Sequence, residues 1–552
     1  MLKITPKLNT KPFQPQGKNS KSDVEVGIFY TNDMHGDVDR LSKFKTAHDE
    51  FVKENVHVPN FTIAAGDCLF GSDRQRNSLM VKLFNYMNLD ALALGNHEFA
   101  GGSKKLADSL KKAEFKSFSA NLKLRKGNPL RKRIKDKKLV KSAIFMKGGQ
   151  KFGIIGASPF DSYINAVDKA VKPQNLDSTI KSINNEVVNL EKQGVNKIIL
   201  CSHVGYENDL KIAQKTEGVD IIIGGHSHTL IEGVNNQNGE NNHKLNLLSS
   251  KRKEPVIITQ LGSMNRRVGY LDVVFDEKGI LKTDKISNNL YNVNDFAESD
   301  FANDLIDKKL GNRVTLAKVN GEYAPRNEYE ERYFENPLAN AFADSMLECG
   351  KSYGAEVSLF QAASIRGGMK DKITNHQVKY SIAPFNNKLK LVELSEKDLV
   401  EILKASAGSL LTSDKDVQLM RCAGMEYSVK TDKEYFLNGG KNPIYDLFIG
   451  GRKVDTVNPD ENRKIKTVIT DYMLVMPCLK NIMKKYSSSA KTIGNEQESF
   501  KNYLQNKKEI STKIDKPRIT LSKTYDTAME MKKVSGIVMA AEKANSDNLN
   551  KS

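Results

Sequence analysis

The 552-residue chain contains no tryptophan and only five cysteines. Cys68, Cys201, Cys349, Cys422 and Cys478 form an odd, widely spaced set without a Cys-x-x-Cys pair. A disulfide framework is thereby excluded as an organising element, and a reducing compartment fits better than an oxidising one. The opening MLKITPKLNTKPFQPQGKNSKSD lacks the apolar core of a secretory signal. No uninterrupted apolar run is long enough for a transmembrane helix. From these absences a cytoplasmic location is expected. Zinc-finger spacings and the glycine–aromatic strand motif of RNA-binding folds are missing too, and nothing identifies a protein partner. Acidic residues are in deficit, 67 against 85 Lys and Arg, for a net charge of +18. Such an excess suits an anionic partner or substrate. It is spread along the chain, however, so it is weak evidence for nucleic-acid binding.

What is present points to a soluble α/β protein of two domains. The length exceeds what one hydrophobic core serves. Strand-like apolar runs occur at 24–33, 61–67, 91–96, 151–158, 197–204 and 219–227, several of them near-continuous, as in strands covered on both faces. Helical periodicity at 78–89 and 176–194 separates them, the second ending at Gly194. Runs at 255–263 and 268–279 close the domain, the latter expected in an edge hairpin. Residues 1–24 read as a flexible lead-in, 25–292 as the first domain and 293–318 as a connector helix. A second α/β domain is expected over 319–519 and a polar tail over 520–552. The basic stretch at 122–150 admits two readings, a solvated surface segment or an anion- or membrane-facing patch.

Five of the nine histidines fall at the ends of these strand-like runs. The segments are Asp33-Met34-His35, Asn96-His97-Glu98, His203 and His226-Ser227-His228, with Asp67 ending a further run. Residues two apart on a strand share a side, so Asp33 with His35, and His226 with His228, can face one site. Strand ends of an α/β sheet line one crevice. Seven candidate ligands there, Asp33, His35, Asp67, Asn96, His203, His226 and His228, are too many for one ion and suit two. Asp67 is the natural bridge, because a carboxylate offers two oxygens and a negative charge.

FYTNDMHG, AAGDCLFGS, ALGNHEF, CSHVG and IIIGGHSH resemble the five blocks of the calcineurin-like metallophosphatases, and more specifically the 5′-nucleotidase and 2′,3′-cyclic-nucleotide phosphodiesterase family. The resemblance covers about 25–520. It implies a layered α/β/β/α sandwich followed by a separate α/β C-terminal domain. It also implies two divalent ions, Zn²⁺ or Mn²⁺, one on Asp33, His35, Asp67 and His228, the other on Asp67, Asn96, His203 and His226. A hydroxide bridging the ions would attack phosphorus, with His97 assisting as the catalytic histidine. One departure stands out: the family's Asn-His-Glu-Phe-Asp reads NHEFA here, with Ala100 where a carboxylate orients the histidine. Lower activity, or another orienting group, is expected.

In the C-terminal domain the family's phosphate-binding arginine corresponds to Arg366, in QAASIRGG. YSIAPFNNKL matches a family block through Phe385 and Asn387, implied to build the cleft wall. Tyr472 is the candidate base-stacking ring. The opposite ring position falls near Arg421-Cys422, where no aromatic stands, with Tyr427 close by, and the family's glycine block is absent. The expected function is dinuclear-metal-dependent hydrolysis of small phosphate esters, nucleotides foremost. The alternatives are a broad-specificity, cyclic-nucleotide or nucleotide-sugar phosphoesterase, and a non-catalytic binding protein on the same fold.

Overall fold

A computed structural model describes residues 23–524 except 72, 161–167, 170, 173, 232–245, 326–327, 409–418, 433–434 and 436–441. The expected lead-in and polar tail lie outside the described residues except at their inner ends. The chain divides into two compact units, Met1–Asn312 and Arg313–Ser552.

The apolar runs of the first unit form two stacked sheets. One has seven strands in the order Ser287–Asn292, Arg267–Phe275, β1 (Val24–Thr31), β2 (Asn60–Ala64), β3 (Ala91–Ala93), Lys116–Phe118 and Leu139–Val140. β1, β2 and β3 are parallel. The other runs Asn246–Ser249, Pro255–Thr259, Ile221–Ile223, Ile198–Ser202, Gln150–Ala157 and Ser142–Lys147, its middle four strands parallel. Val26, Ile28, Tyr30 and Ile63 of the first sheet share a core with Ile154, Ile199, Ile221 and Ile223 of the second. Each such side chain contributes roughly 1.5–3 kcal/mol of burial free energy.

Helices cover the outer faces. Phe44 and Phe51 of α1 (Leu41–Glu54) pack on Phe29, with ring centroids 5.4 and 5.7 Å apart. The helix Leu176–Glu191 sets Ile180, Ile183, Val187 and Leu190 in one core with Ile155, Leu200 and Ile222. Asn175 caps it by accepting from the Ser178 amide at 2.9 Å. The outcome is the expected α/β/β/α layering.

Two details sharpen the sequence reading. Arg267–Phe275 and Ser287–Asn292 form the expected antiparallel pair at the sheet edge, with Arg267–Phe275 the inner strand beside β1. Its residues are buried on both faces, which alternation alone did not reveal. Within 293–318, the helix Asp300–Leu310 packs on α1 and on α2 (Arg74–Tyr86) inside the first unit, before Gly311 at φ +89°.

The second unit is also α/β. Its five-stranded sheet runs Met420–Ala423, Val357–Gln361, Lys464–Thr470, Lys388–Ser395 and Lys491–Asn495. The helix Pro337–Gly350 begins at Asn336, which accepts from the Ala339 amide at 2.7 Å, with proline at its first position. A four-stranded and a three-stranded sheet complete the unit. All five cysteines are free.

Candidate metal centre

The ligand-bearing segments follow β1, β2 and β3 of one sheet and Ile198–Ser202 and Ile221–Ile223 of the other. They meet where the C-terminal ends of both sheets come together. The ligand atoms of Asp33, His35 and His228 lie within 4.8 Å of one another, as do those of Asp33, Asp67 and His203, and of His35, Asp67 and His97. His228 Nε2 is 3.2 Å from Asp33 Oδ1 and 3.1 Å from His35 Nε2. His203 Nε2 is 3.2 Å from Asp67 Oδ2. His226 Nδ1 is 2.8 Å from Asn96 Oδ1, and its ring lies 5.3 Å from that of His203. All seven candidates and His97 thus belong to one connected cluster.

The backbone reaches this arrangement differently from the sequence reading. β1 ends at Thr31 and the Ile221–Ile223 strand ends before His226, so neither His-bearing pair sits on extended alternation. Instead Asp33, His35, Asp67, His226 and His228 all have positive φ, at +48°, +51°, +50°, +78° and +54°. A left-handed residue other than glycine costs roughly 1–2 kcal/mol. Five of them in one site mean that the surrounding hydrogen bonds hold the turns in place. Gly95 shows how tight the packing is, since a Cβ there would stand 2.2 Å from Asp67 Oδ1 and 2.7 Å from His203 Nε2.

Three holding residues escaped the sequence reading. Glu98, buried, accepts from the amides of Asp67, Cys68 and Gly95 at 2.8 Å and Leu69 at 2.9 Å. It ties the Asp67 loop to the Asn96-His97 turn. Its signal was a glutamate three residues after Gly95, the spacing of a helix-capping acid. Burial, reinforced by Asp67, raises its carboxyl to about 7. Gln260 fixes the opposite loop, accepting from the Thr229 amide at 2.6 Å and donating to the Gly225 carbonyl at 3.2 Å. Asn32 donates to Asp33 Oδ2 and to the Gly262 carbonyl, both at 2.7 Å.

His203 tests whether the site fits a cation. Its Nδ1 lies 2.6 Å from the Ala65 carbonyl and can satisfy it only by donating. In the neutral ring that leaves a lone pair on Nε2, which is buried, makes no hydrogen bond, and faces Asp67 at 3.2 Å and Asp33 at 3.8 Å. A lone pair against two carboxylates is repulsive unless a proton or a metal ion stands between them. Burial would lower this imidazole, yet Asp67 and Asp33 outweigh it and lift it to about 10. Against the cost of their own burial, the neighbouring imidazoles hold both aspartates below the usual carboxylate range. The mixed oxygen and nitrogen set therefore fits divalent transition cations.

His97 is half-buried beside this cluster. Its amide donates to Asp67 Oδ1 at 2.7 Å, and its ring lies 4.5 Å from that of His35 and 6.4 Å from that of Phe70. Ala100 ends the short helix Asn96–Phe99, where its amide donates to the His97 carbonyl.

In the second unit, Arg366 and Tyr472 follow the C-terminal ends of Val357–Gln361 and Lys464–Thr470, which are adjacent parallel strands. Phe385 and Asn387 precede Lys388–Ser395, whose first residues pair with the end of Lys464–Thr470, so all four share one sheet edge. The Arg366 guanidinium lies 5.1 Å from the Phe385 ring centre. Asn387 donates to Glu496 Oε1 at 2.9 Å, and its amide to Oε2 at 2.8 Å. Tyr472 is 44% exposed and Phe385 43%. By contrast Arg421 and Cys422 are buried, and Tyr427 is a core residue whose hydroxyl donates to the Met420 carbonyl.

The double-sheet sandwich with histidines and carboxylates at its strand ends defines a metallophosphatase architecture. Residues 27–230 match the calcineurin-like phosphoesterase family, and residues 309–474 match the 5′-nucleotidase C-terminal domain. With both in this order, the chain belongs to the 5′-nucleotidase family. Among relatives, it is 27% identical over 457 residues to the trifunctional nucleotide phosphoesterase protein YfkN of Bacillus subtilis, covering 73% of this chain and 29% of that protein. It is 32% identical over 226 residues to a probable 5′-nucleotidase of Treponema pallidum, covering 39% and 37%. The chain thus spans well under half the length of these two curated relatives. A 5′-nucleotidase precursor from Thermus thermophilus shares the fold, with a TM-score of 0.67 at 23% identity over 91% of this chain and all of that one.

Proposed function

We propose that the chain hydrolyses phosphate esters of nucleotides, using two divalent cations, Zn²⁺ or Mn²⁺. The observation that carries this reading is the buried Nε2 of His203 aimed at Asp67 and Asp33. Asp33, His35, Asp67 and His228 would hold one cation, and Asp67, Asn96, His203 and His226 the other. When bound, the cations supply Lewis acidity toward water and phosphoryl oxygens. The chain's own residues do the rest. Glu98 and Gln260 keep the loops fixed, so the ligands need little reorganisation. His97, at the rim of the cluster, is placed to hydrogen-bond a phosphoryl oxygen or protonate a leaving alkoxide. The Asp67 carboxylate beside it supplies negative charge where the family's orienting carboxylate is Ala100 here. Arg366 offers a planar donor fork suited to phosphate.

A broader substrate range is the second reading. It is favoured by the burial of Arg421, Cys422 and Tyr427, none of which is an exposed ring available for stacking. The test is metal-stripped protein reloaded with Mn²⁺ or Zn²⁺ and given an activated phenyl phosphate. Turnover with at least one ion is expected, and none with any ion would overturn the proposal. A panel of AMP, UMP, 2′,3′-cyclic AMP, UDP-glucose and glycerol phosphate then separates the readings, equal rates favouring the broader one.

A further inference from the structure

The first unit carries a concave surface that contains none of the metal-centre residues. It is a groove of about 880 Å³ bordered by α2, the Asp108–Glu114 turn and Lys309. That volume falls in the range of small-molecule sites, about 300–1,000 Å³. Its lining is unbalanced in charge. Arg74, Lys82, Lys111, Lys112 and Lys309 face only Asp108 and Glu114. Arg74 spends its charge on Asp108 at 3.9 Å, and Lys309 donates to Ser78 Oγ at 3.3 Å. Lys82, Lys111 and Lys112 have no carboxylate within ion-pairing distance among the described residues.

The groove also has an aromatic wall. Tyr86 is 51% exposed and is braced edge-on by Phe301, with ring centroids 4.7 Å apart. Lys82 Nζ lies 5.8 Å from the Tyr86 ring centre. A half-exposed ring beside ammonium groups without carboxylate partners suits a ligand with a flat, apolar end and an anionic end.

The basic stretch singled out in the sequence adjoins this groove. Between Lys123 and Lys138 stand nine Lys and Arg against one acid, Asp136. Lys138 Nζ donates to the Glu114 carbonyl at 3.3 Å, which fixes the end of that stretch at the groove's border. Positive charge is thus added at the groove's border by Lys138, which raises the local concentration of anions. Three ammonium groups lining one groove without carboxylate partners suit a ligand that carries several phosphates.

We propose that this groove binds a polyphosphorylated small molecule, a nucleoside polyphosphate in particular, at a site separate from the metal centre. The phosphates lie on Lys82, Lys111 and Lys112, and the base lies against Tyr86. Binding there requires no hydrolysis and does not depend on the reaction proposed for the metal centre.

Calorimetric titration of the full-length, metal-loaded protein with inorganic tripolyphosphate and with a methylene-bridged ATP analogue tests this. The Lys82→Glu/Lys111→Glu/Lys112→Glu variant should weaken one binding event for both ligands by about tenfold or more. Hydrolysis of an activated phenyl phosphate, measured without either ligand, should stay within about twofold of the parent, because these side chains are exposed and outside the metal centre. Tyr86→Ala should weaken the ATP analogue and leave tripolyphosphate unchanged. Asp67→Asn should keep the groove event. The proposal is overturned if the triple variant binds both ligands as the parent does, if Asp67→Asn removes all binding, or if sulfate binds as well as tripolyphosphate. It is also overturned if a single-stranded RNA oligomer binds more tightly than the ATP analogue through the same lysines, which would make the face a nucleic-acid surface. Absence of hydrolysis in every form would count against the metal-centre reading alone, since binding is scored separately.

Discussion

The metal-centre candidates of the first unit and the substrate-binding candidates of the second are held in place by different means. The first set is buried, drawn from two sheets, and fixed by side chains such as Glu98 and Gln260 that touch several loop amides each. The second set shares one edge of one sheet, with Tyr472 and Phe385 nearly half exposed. Metal coordination tolerates only small errors in ligand position, and five of the candidate ligands sit in left-handed turns of the kind a fixed site requires. Stacking on a base tolerates sliding and substitution, so a half-exposed ring is enough to contribute. On the proposed function, the contrast assigns the chemistry to a rigid, redundant device and the substrate preference to a few replaceable contacts.

If that contrast holds, His97→Ala has the largest effect of four substitutions. A drop in kcat of about 10²–10⁴ is expected with metal content unchanged, read by single-turnover kinetics and elemental analysis. Loss of metal instead would move His97 into the ligand set, a result its grouping with His35 and Asp67 makes worth checking.

Glu98→Ala comes next. It strands four buried amides, and metal affinity should fall roughly 10–100-fold while stability drops by a few kcal/mol. Chelator competition and thermal melting would read both, and an unchanged affinity would mean that the Asp67 loop holds without its clamp.

The second unit offers a pH test. Burial raises the Glu496 carboxyl to about 7, against the hydrogen bonds from Asn387. A raised carboxyl binds its proton more tightly in the folded state, so this contribution is present at low pH and lost as pH rises from about 4.5 to 7. Its size is at most on the order of 3 kcal/mol. Denaturant melts of the parent and of Glu496→Gln across that window should converge at low pH and differ in slope. Parallel curves would remove Glu496 as the cause.

The smallest effect belongs to Tyr472→Ala, a rise of roughly two- to tenfold in KM for nucleotides and none for phenyl phosphate. Equal changes for both substrates would mean that the ring does not read a base.

Much of this was legible in the chain. The near-continuous apolar runs marked β1, β2 and the Ile198–Ser202 strand, because strands buried on both faces have no polar side to show. The cluster of Asp, Asn and His at their ends marked the site, because those groups are costly to bury without a purpose. Glu98 was harder to see, since one glutamate in Asn-His-Glu looks the same whether it faces water or four amides. The packing of the connector helix was hidden for a similar reason: Phe301 is as compatible with a linker as with the packed ring pair it forms with Tyr86.

The sequence by itself determined which chemical groups are available and near which strand ends they lie, because residue type and apolar periodicity are local properties. Only the tertiary structure decided how those ends converge. Two separate sheets had to stack before His203 could meet Asp67 and His228 could meet Asp33. Turns with positive φ, rather than strand alternation, had to aim the paired candidate ligands. Neither the stacking nor the φ angles can be read from spacing, because both are imposed by contacts between residues distant in the chain.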